Sequence, residues 1–269
     1  MAKKTGGLVF HRMKKSYLNI SLFIAMSLCF ALVSVSSSAQ ENKPASGSID
    51  HSLFDSLLQR HVNEGRVSYT GFARDITVLN QYLTQLATTD INSYGREEQL
   101  AFYINAYNAF TIKLIVNNIG KIKSIRDINK PWDTKEWKVA GNVLSLNDIE
   151  HEILRKKFKE PRIHFAIVCA SIGCPDLANR VFAGENIDVA LTAATRRFFS
   201  SPKHLQVAGN TVKLSKIFEW FGDDFKQGSG SILDFVARYS PTTVAAQLTA
   251  TGKNVRIKYL DYDWNLNGK

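Results

Sequence analysis

Residues 97–118 predict a helix that is apolar on nearly every face between Leu100 and Val116. A helix at the surface of a globular protein carries its apolar residues in one stripe, whereas a helix that is apolar all round needs neighbours on every side. The sequence therefore predicts a fold built around one central buried helix. The remaining apolar and aromatic residues are numerous enough to surround it with the core of one large domain.

The other predicted elements do not alternate regularly between strand and helix, which favours an α+β fold over a doubly wound sheet. We expect a single domain over residues 50–269, in which surrounding helices and a small mixed or antiparallel sheet enclose the central helix. Helices are predicted over residues 53–61, 76–86, 97–118, 146–157, 188–199, 216–221 and 231–239. Strands are predicted over residues 137–144, 163–170, 205–214 and 255–259.

Two short stretches share one pattern, a Gly-Asn turn between alternating residues followed by a serine. The turn predicts a β-hairpin, and the serine is placed to cap a following helix. The turns are Gly141-Asn142 and Gly209-Asn210, and the serines are Ser145 and Ser215.

The first forty residues have the three-part pattern of a secretory signal peptide. Lys14 and Lys15 precede an apolar run over residues 18–35, and Ser37-Ser38-Ala39 supplies a small-residue cleavage signal. We therefore predict an exported protein, periplasmic or secreted. The alternative is an inner-membrane anchor formed by an uncleaved run over residues 18–35.

The predicted boundaries follow from this pattern. The signal peptide covers residues 1–39, and residues 1–12 are an upstream extension if translation begins at Met13. Residues 40–49 are polar and contain Gly, Ser and Pro, so they are predicted to form a tether.

The charge balance argues against nucleic acid as a partner. Removing the five basic residues of the leader lowers the formal charge from +10 to about +5. The rest of the chain contains no Lys/Arg cluster with interleaved aromatic residues. We expect a small molecule or a peptide as partner, and membrane contact only through an uncleaved N-terminal segment.

Two asparagines, Asn105 and Asn108, lie in the middle of the central helix and on neighbouring positions of one face. Burying an amide without partners costs about 1–3 kcal/mol, so both side chains must be hydrogen-bonded. Either they tie the helix to a neighbouring backbone segment, or they line a cleft and point their amides at a substrate or a catalytic histidine.

Cys169 and Cys174 are the only cysteines that follow the predicted leader. The predicted strand over residues 163–170 places Cys169 on an apolar face and His164 on the opposite face. Cys174 precedes Pro175 at a predicted helix start, where unpaired N–H groups and the helix dipole favour a thiolate. Cys174 is therefore the predicted nucleophile, with Cys169 as a buried companion or resolving thiol.

Other states of this cysteine pair remain open. Two thiols five positions apart in an oxidising compartment tend to form a disulfide, and inert reduced cysteines are a further alternative. The two cysteines with His151 and His164 would make four zinc ligands, but their spacing lacks a second ligand pair and the opposed strand faces keep them apart. We expect no bound metal.

Among the histidines, His151 and His164 are the functional candidates. His151 lies about 200° around its helix from Ile149 and so faces away from the buried stripe. Its neighbour Glu150 is of a type that orients an imidazole, although adjacent helix positions do not face each other. His51, His61 and His204 have no partner signal and are expected to be solvated, and His11 lies in the leader.

Five segments in combination resemble the family called domain of unknown function 547, and the resemblance spans nearly all of the mature chain. It implies a domain shared by bacterial and plant proteins, without an established reaction. The segments are Leu100-Ala101-Phe102-Tyr103-Ile104-Asn105-Ala106-Tyr107-Asn108-Ala109, residues 144–155, residues 164–175, Ser215-Lys216-Ile217-Phe218-Glu219-Trp220 and residues 261–267.

Two functions from different classes are compatible with these residues. The first is a cysteine-dependent hydrolase or transferase of the papain or transglutaminase kind, acting on an amide or peptide bond. In it Cys174 attacks the carbonyl, His151 or His164 acts as base and acid, and Asn105 or Asn108 orients the imidazole or donates to the oxyanion.

The second function is a non-catalytic periplasmic ligand- or thiol-binding domain with a Cys169–Cys174 disulfide. Its groove would be lined by the asparagine pair and by four aromatic residues, Tyr103, Tyr107, Trp220 and Trp264. Both functions have a redox variant, in which Cys174 forms a mixed disulfide with a small thiol. We expect no cofactor, since the sequence has no P-loop, dinucleotide fingerprint or nucleophile elbow.

Overall fold

The computed structural model describes residues 47–251 and 254–269, which belong to one compact unit. The predicted signal peptide, the alternative anchor over residues 18–35 and most of the tether lie outside these residues. Ile49, at the end of the predicted tether, is buried, and its N–H donates to Glu98 Oε2 at 3.3 Å. Within the described residues, no helix has the length and apolar character needed to cross a membrane.

The α-helices are α1 (Ser52–His61), α2 (Tyr69–Arg74), α3 (Ile76–Thr88), α4 (Arg96–Asn117), α5 (Ile187–Phe199), α6 (Ile217–Trp220), α7 (Gly222–Ser229), α8 (Ile232–Tyr239) and α9 (Thr242–Thr251). The strands are β1 (Val62–Asn63), β2 (Arg66–Val67), β3 (Trp137–Val139), β4 (Asn142–Leu144), β5 (Leu205–Ala208), β6 (Thr211–Leu214) and β7 (Arg256–Tyr259). A π-helix covers Asp148–Phe158, and shorter 3-10 turns cover Ile91–Ser93, Ile125–Asp127, Pro161–Phe165 and Gly184–Asn186.

Helix α4 is the centre of the molecule. Every residue from Leu100 to Ile112 is buried, and α2, α3, the π-helix and the turn Gly184–Asn186 pack around it. The predicted central buried helix is confirmed. Helix α4 is buried because its apolar residues cover every face, and such a helix is stable only when other elements cover it on all sides.

The strands form three small sheets within the described part of the chain. Strands β1 and β2 pair antiparallel, as do β3 and β4, while β6 lies between an antiparallel β5 and a parallel β7. The α+β class and the two predicted hairpins are confirmed, but the first hairpin turns at Ala140-Gly141, and Asn142 is already the first residue of β4. Gly141 and Gly209 have φ of 74° and 57°, in the left-handed region that these tight turns require.

The predicted strand over residues 163–170 is wrong. The segment begins as the 3-10 turn Pro161–Phe165 and continues as irregular backbone. Pro161 and the Glu160 carboxylate, which accepts from the Arg162 N–H at 3.0 Å, start the turn. The periodicity of so short an apolar run cannot distinguish a buried strand from other buried backbone.

The predicted helix start at Cys174 and Pro175 is also wrong, since the next helical residues are those of the turn Gly184–Asn186. The prediction of solvated histidines fails as well. His51 and His204 are buried, and His61 is half-buried with its Nε2 2.7 Å from Asp75 Oδ2.

Two apolar clusters form the core. The larger surrounds α4, and the smaller is rich in phenylalanine and joins α5 to the sheet and helices that follow it. Phe165 belongs to the smaller cluster, whereas Ile163 and Ala166 belong to the larger one. Tyr262 packs against both clusters. The segment around residues 161–174 therefore runs along the boundary between them.

Candidate functional site

A cleft with an empty volume of about 710 Å³ opens at this boundary. Its walls are mainly aromatic. Residues 167–175, the cysteine segment, lie along it. The lining residues are Tyr107, Trp132, Asn147, Glu150, His151, His164, Ile167, Cys169, Cys174, Pro175, Ile217, Trp220, Phe221, Tyr262 and Trp264.

Cys169 and Cys174 are joined in a disulfide that lines the cleft. The loop between them is held by the C-terminal segment, because the N–H groups of Ile172 and Gly173 donate to the carbonyls of Asn265 and Asp263, both at 2.8 Å. A Cβ on Gly173 would lie 2.9 Å from the Tyr262 ring, so the close approach of that ring requires glycine.

The disulfide is surrounded by hydrogen-bond donors. The Tyr262 hydroxyl lies 3.1 Å from each sulfur, and the Ser171 hydroxyl lies 3.0 Å from Cys169 Sγ and 3.9 Å from Cys174 Sγ. The backbone N–H of Cys169 also donates to Cys174 Sγ, at 2.9 Å. Bonded sulfurs carry no proton, so the hydroxyls are the donors.

The two cysteines differ in access, in the opposite sense to the sequence prediction. Cys174, the predicted nucleophile, is only 3% exposed, whereas Cys169, the predicted buried companion, is half-buried. The prediction of which cysteine is buried depended on a strand over residues 163–170 and a helix start at Cys174, and the structure has neither. Cys169 is the more exposed residue, and the Cys174 sulfur has one more hydrogen bond, from the Cys169 N–H.

A buried carboxyl group lies in the same cleft. Tyr107 donates to Glu150 Oε2 at 3.1 Å, and burial raises the pKa of Glu150 to about 7 despite this hydrogen bond and nearby Arg155. The π-helix carries Asn147 at its start and Glu150 and His151 in its first turn, and all three line the cleft. A π-helical turn is wider than an α-helical one and is often found at functional sites.

His164 is held by a partly buried network of charged and polar side chains. Its ring stacks on Phe221 at 4.1 Å, and its Nε2 lies 2.8 Å from Asp224 Oδ2. Arg155 donates to both oxygens of Asp224, at 2.6 and 2.9 Å, and its Nη1 lies 3.2 Å from His151 Nδ1. Arginine donates in that last contact, so His151 Nδ1 accepts.

The electrostatics of this network favour a neutral histidine beside a charged carboxylate. Burial lowers the pKa of His164 more than Asp224 raises it, and burial with nearby Arg155 lowers the pKa of His151. Burial alone would raise the pKa of Asp224, but hydrogen bonds from His164 and Arg155 outweigh it and hold that pKa below its ordinary range. Neutral His164 therefore carries its proton on Nε2, which donates to Asp224, and its Nδ1 is unprotonated.

The structure brings most of the predicted site residues together. Those that line the cleft are Tyr107, Glu150, His151, His164, Cys169, Cys174, Trp220 and Trp264. Tyr103 lies outside it and packs near Phe158.

Asn105 and Asn108 also lie outside the cleft. Asn105 exchanges two hydrogen bonds with the backbone of Phe182, at 2.7 and 3.0 Å. Asn108 donates to the Ala166 carbonyl and accepts from the Val168 N–H, both at 2.9 Å. The interpretation that these amides tie the central helix to neighbouring backbone is confirmed, and the geometry does not direct them at a substrate or a histidine.

Several cleft residues were not predicted as site residues. Tyr262 lies within the segment 261–267 that carries the family resemblance, and that context was its only signal. Phe221 and Trp132 had none, since they reach the cleft only through the tertiary fold, and neither had Asp224, which binds His164 from outside the cleft lining. Among the residues that the structure describes, no three His, Cys, Asp or Glu side chains are grouped as metal ligands would be.

Residues 91–199 match the model of a family described as "Protein of unknown function, DUF547". This region supplies both cysteines, Glu150, His151 and His164, whereas Trp220, Phe221, Tyr262 and Trp264 follow it in the chain. No curated protein and no solved structure matches the chain.

Proposed function

We propose that this protein carries out thiol–disulfide exchange, in which the Cys169–Cys174 disulfide reacts with a thiol bound in the aromatic cleft. The observation that carries the proposal is the asymmetry of the two cysteines. Cys169 is the more accessible one, and Cys174 accepts the Cys169 N–H at 2.9 Å while sharing the Tyr262 hydroxyl at 3.1 Å.

This asymmetry assigns a direction to the exchange. A substrate thiolate attacks Cys169 Sγ, the bond between the cysteines breaks, and its electron pair stays on Cys174 as a thiolate. Exchange is faster when the leaving thiolate is stabilised. The Cys169 N–H and the hydroxyls of Tyr262 and Ser171 provide that stabilisation, because hydrogen bonds to a charged group are stronger than those to a neutral one.

A second thiol completes the reaction. It attacks the substrate sulfur of the mixed disulfide, so that two substrate thiols leave as one disulfide and both cysteines are left reduced. A low-molecular-weight disulfide reverses the sequence and restores the Cys169–Cys174 bond. Glu150, whose pKa is near 7, is suited to take the proton of the incoming thiol because a general base works best near the operating pH.

Tyr262→Phe tests the proposal. It removes the hydroxyl but keeps the ring, and we expect reduction by 2-mercaptoethanol to slow by about tenfold or more, since a hydrogen bond to a charged group contributes about 1.5–3 kcal/mol. Alkylation of released thiols followed by mass spectrometry gives the rate. Tyr239→Phe, on a half-buried tyrosine that packs on Phe235 away from the cleft, is the matched control.

Two results would contradict the proposal. One is an equal rate for Tyr262→Phe, Tyr239→Phe and the unaltered protein. The other is a disulfide that reacts no faster in the folded protein than in a urea-unfolded chain, because the fold would then contribute nothing to the exchange.

A hydrolase or transferase is a second candidate, and the pair formed by His164 and Asp224 favours it. An imidazole held by a carboxylate is the arrangement that activates a nucleophile in acyl transfer, and here it shares a cleft with Cys174. In reduced protein, Cys174 would form a thioester with p-nitrophenyl acetate, and Asp224→Asn would slow that step about 100-fold or more. The absence of a Cys174 thioester by mass spectrometry would eliminate this candidate.

Export is part of the same proposal, supported by the leader pattern of residues 1–39 and by the disulfide, since disulfides persist in oxidising compartments. We expect the mature protein to begin near Gln40 or Glu41. N-terminal sequencing of protein from its own cells checks this, and a chain starting at Met1 or Met13 in the membrane fraction would indicate an anchored protein instead.

A further inference from the structure

The cleft is aromatic and contains an acid but no basic side chain of lysine or arginine among its described lining residues. Trp220, Tyr262 and Trp264 form a continuous wall, with ring centroids 4.5 to 5.7 Å apart, and Trp132 stands 6.1 Å from Trp264. Trp220 is 44% exposed, so one end of this wall is open to solvent.

We propose that the cleft selects ligands that carry an ammonium group, so that its thiol substrates are aminothiols. The aminothiol part rests on the proposed exchange function, whereas the preference for a cation rests on the cleft alone.

The aromatic wall is the first part of the argument. The face of a tryptophan or tyrosine ring attracts a cation, and the attraction increases when the cation is desolvated. Trp264 already shows this property within the protein, because the Arg126 guanidinium lies 5.1 Å from its ring centroid. Recognition of ammonium groups by several aromatic rings is a recurrent use of the same interaction.

Glu150 is the second part of the argument. Among the described residues only Tyr107 donates to its carboxylate, and it does so at Oε2, which leaves Oε1 to accept from a ligand. An ammonium group is a donor without acceptors and matches such an oxygen.

The arrangement of nearby cations is the third part. Arg155 does not line the cleft and is bound to both oxygens of Asp224, and His151 accepts from Arg155 and is neutral. Among the described lining residues, no cationic side chain is therefore available to pair with a thiol that carries a carboxylate. The carboxylate of such a thiol would also be repelled by that of Glu150. A cationic thiol meets a complementary surface instead.

Three thiols of similar size and different charge test the inference: cysteamine, 2-mercaptoethanol and 3-mercaptopropionate. Second-order rate constants for reduction of the folded protein are expressed per thiolate and divided by those for a small reference disulfide, which removes intrinsic reactivity. We expect the ratio for cysteamine to exceed that for 2-mercaptoethanol by about tenfold, with 3-mercaptopropionate slowest.

Glu150→Gln should strongly reduce this preference, because it keeps the shape of the side chain and removes its charge while the aromatic wall stays. Glu152→Gln is the matched control, since Glu152 lies on the same π-helix, is exposed and pairs with Lys156 outside the cleft. The control should keep the preference.

Choline provides a readout that does not depend on thiol chemistry. We expect it to quench tryptophan fluorescence saturably, whereas its neutral isostere 3,3-dimethylbutanol should not, and Trp220→Ala should weaken choline binding. Equal ratios for the three thiols, or equal binding of choline and its isostere, would overturn the ammonium preference even if exchange is fast. Choline binding without any fast exchange would keep the preference and reject the exchange function.

Discussion

Asn108 is the residue that joins the central helix to the cysteine segment. Its amide donates to the Ala166 carbonyl and accepts from the Val168 N–H, and it is buried with both partners. These two hydrogen bonds take the place of the backbone hydrogen bonds that a strand would make to its neighbour. One side chain therefore positions the backbone immediately before Cys169. At the scale of the residue, the site therefore depends on a side chain that never contacts the cleft.

Asn108→Ala should lower the free energy of unfolding by about 1–3 kcal/mol, because it leaves a buried carbonyl and a buried N–H without partners. Urea denaturation measures the effect. Asn117→Ala, on an exposed asparagine in the last turn of the same helix, is the control and should change the stability by less than about 0.5 kcal/mol. A variant at Asn108 with unchanged stability but no thiol exchange would contradict the structural role.

The residues that define the site differ in how visible they are in the sequence. Cys169, Cys174 and His164 can be singled out because their chemistry is rare in this chain and they are close together. The hydroxyl of Tyr262 and the carboxylate of Asp224 cannot, because tyrosine and aspartate are common and both come from distant parts of the chain. Only the fold brings them to the sulfur and to the imidazole.

At the scale of elements, prediction succeeded where a local pattern determines local structure. Helix α4 follows from its all-round apolar sequence, and the hairpins β3–β4 and β5–β6 follow from the glycine-containing turns Ala140-Gly141 and Gly209-Asn210, which are compatible with positive φ. In each case neighbours in the chain supply the hydrogen bonds, so the sequence pattern contains the necessary information.

Prediction failed where the partners of an element are remote. The backbone of residues 163–174 is held by Asn108 and by the C-terminal segment, through the bridge between Ser171 and Leu266 and the hydrogen bonds to Asp263 and Asn265. A local sequence pattern contains no information about such long-range contacts. Without that information, an apolar run with β-branched residues is predicted as a strand. Helices α2, α7 and α9 were missed for a related reason, since each is short or weakly patterned and depends on packing.

At the scale of the whole molecule, three buried titratable groups set how stability depends on pH. His51 and His204 are buried, and each has an Nε2 without a partner among the described residues. Burial lowers the pKa of His51 to about 4 and that of His204 to about 3, and burial raises the pKa of Glu150 to about 7. The fold keeps both imidazoles neutral at neutral pH and keeps Glu150 protonated up to about pH 7, whereas an unfolded chain exposes all three groups to water.

The signs of these shifts predict that the stability rises from about pH 4 to about pH 7 and is nearly constant above that. Below that value the unfolded chain protonates two histidines that the folded chain keeps neutral, so the free energy of unfolding falls as the pH drops towards 4. Glu150 acts in the opposite direction between about pH 4.5 and 7, because there the folded chain binds the extra proton, but one carboxyl group does not outweigh two histidines. Between about pH 6.5 and 7 the remaining protonation of the unfolded histidines and the extra proton on folded Glu150 nearly cancel, so the stability levels off there.

Urea denaturation at intervals between pH 4 and 8 tests this prediction. Each buried histidine accounts for a loss on the order of 3 kcal/mol across its window, from the conversion of about 1.4 kcal/mol per pKa unit. In His51→Gln and His204→Gln the acid-side slope should be shallower, and in Glu150→Gln it should be steeper, because the opposing carboxyl group is removed. A flat profile between pH 4.5 and 6.5 in the unaltered protein would mean that the two imidazoles reach water in the folded state, and would contradict their burial.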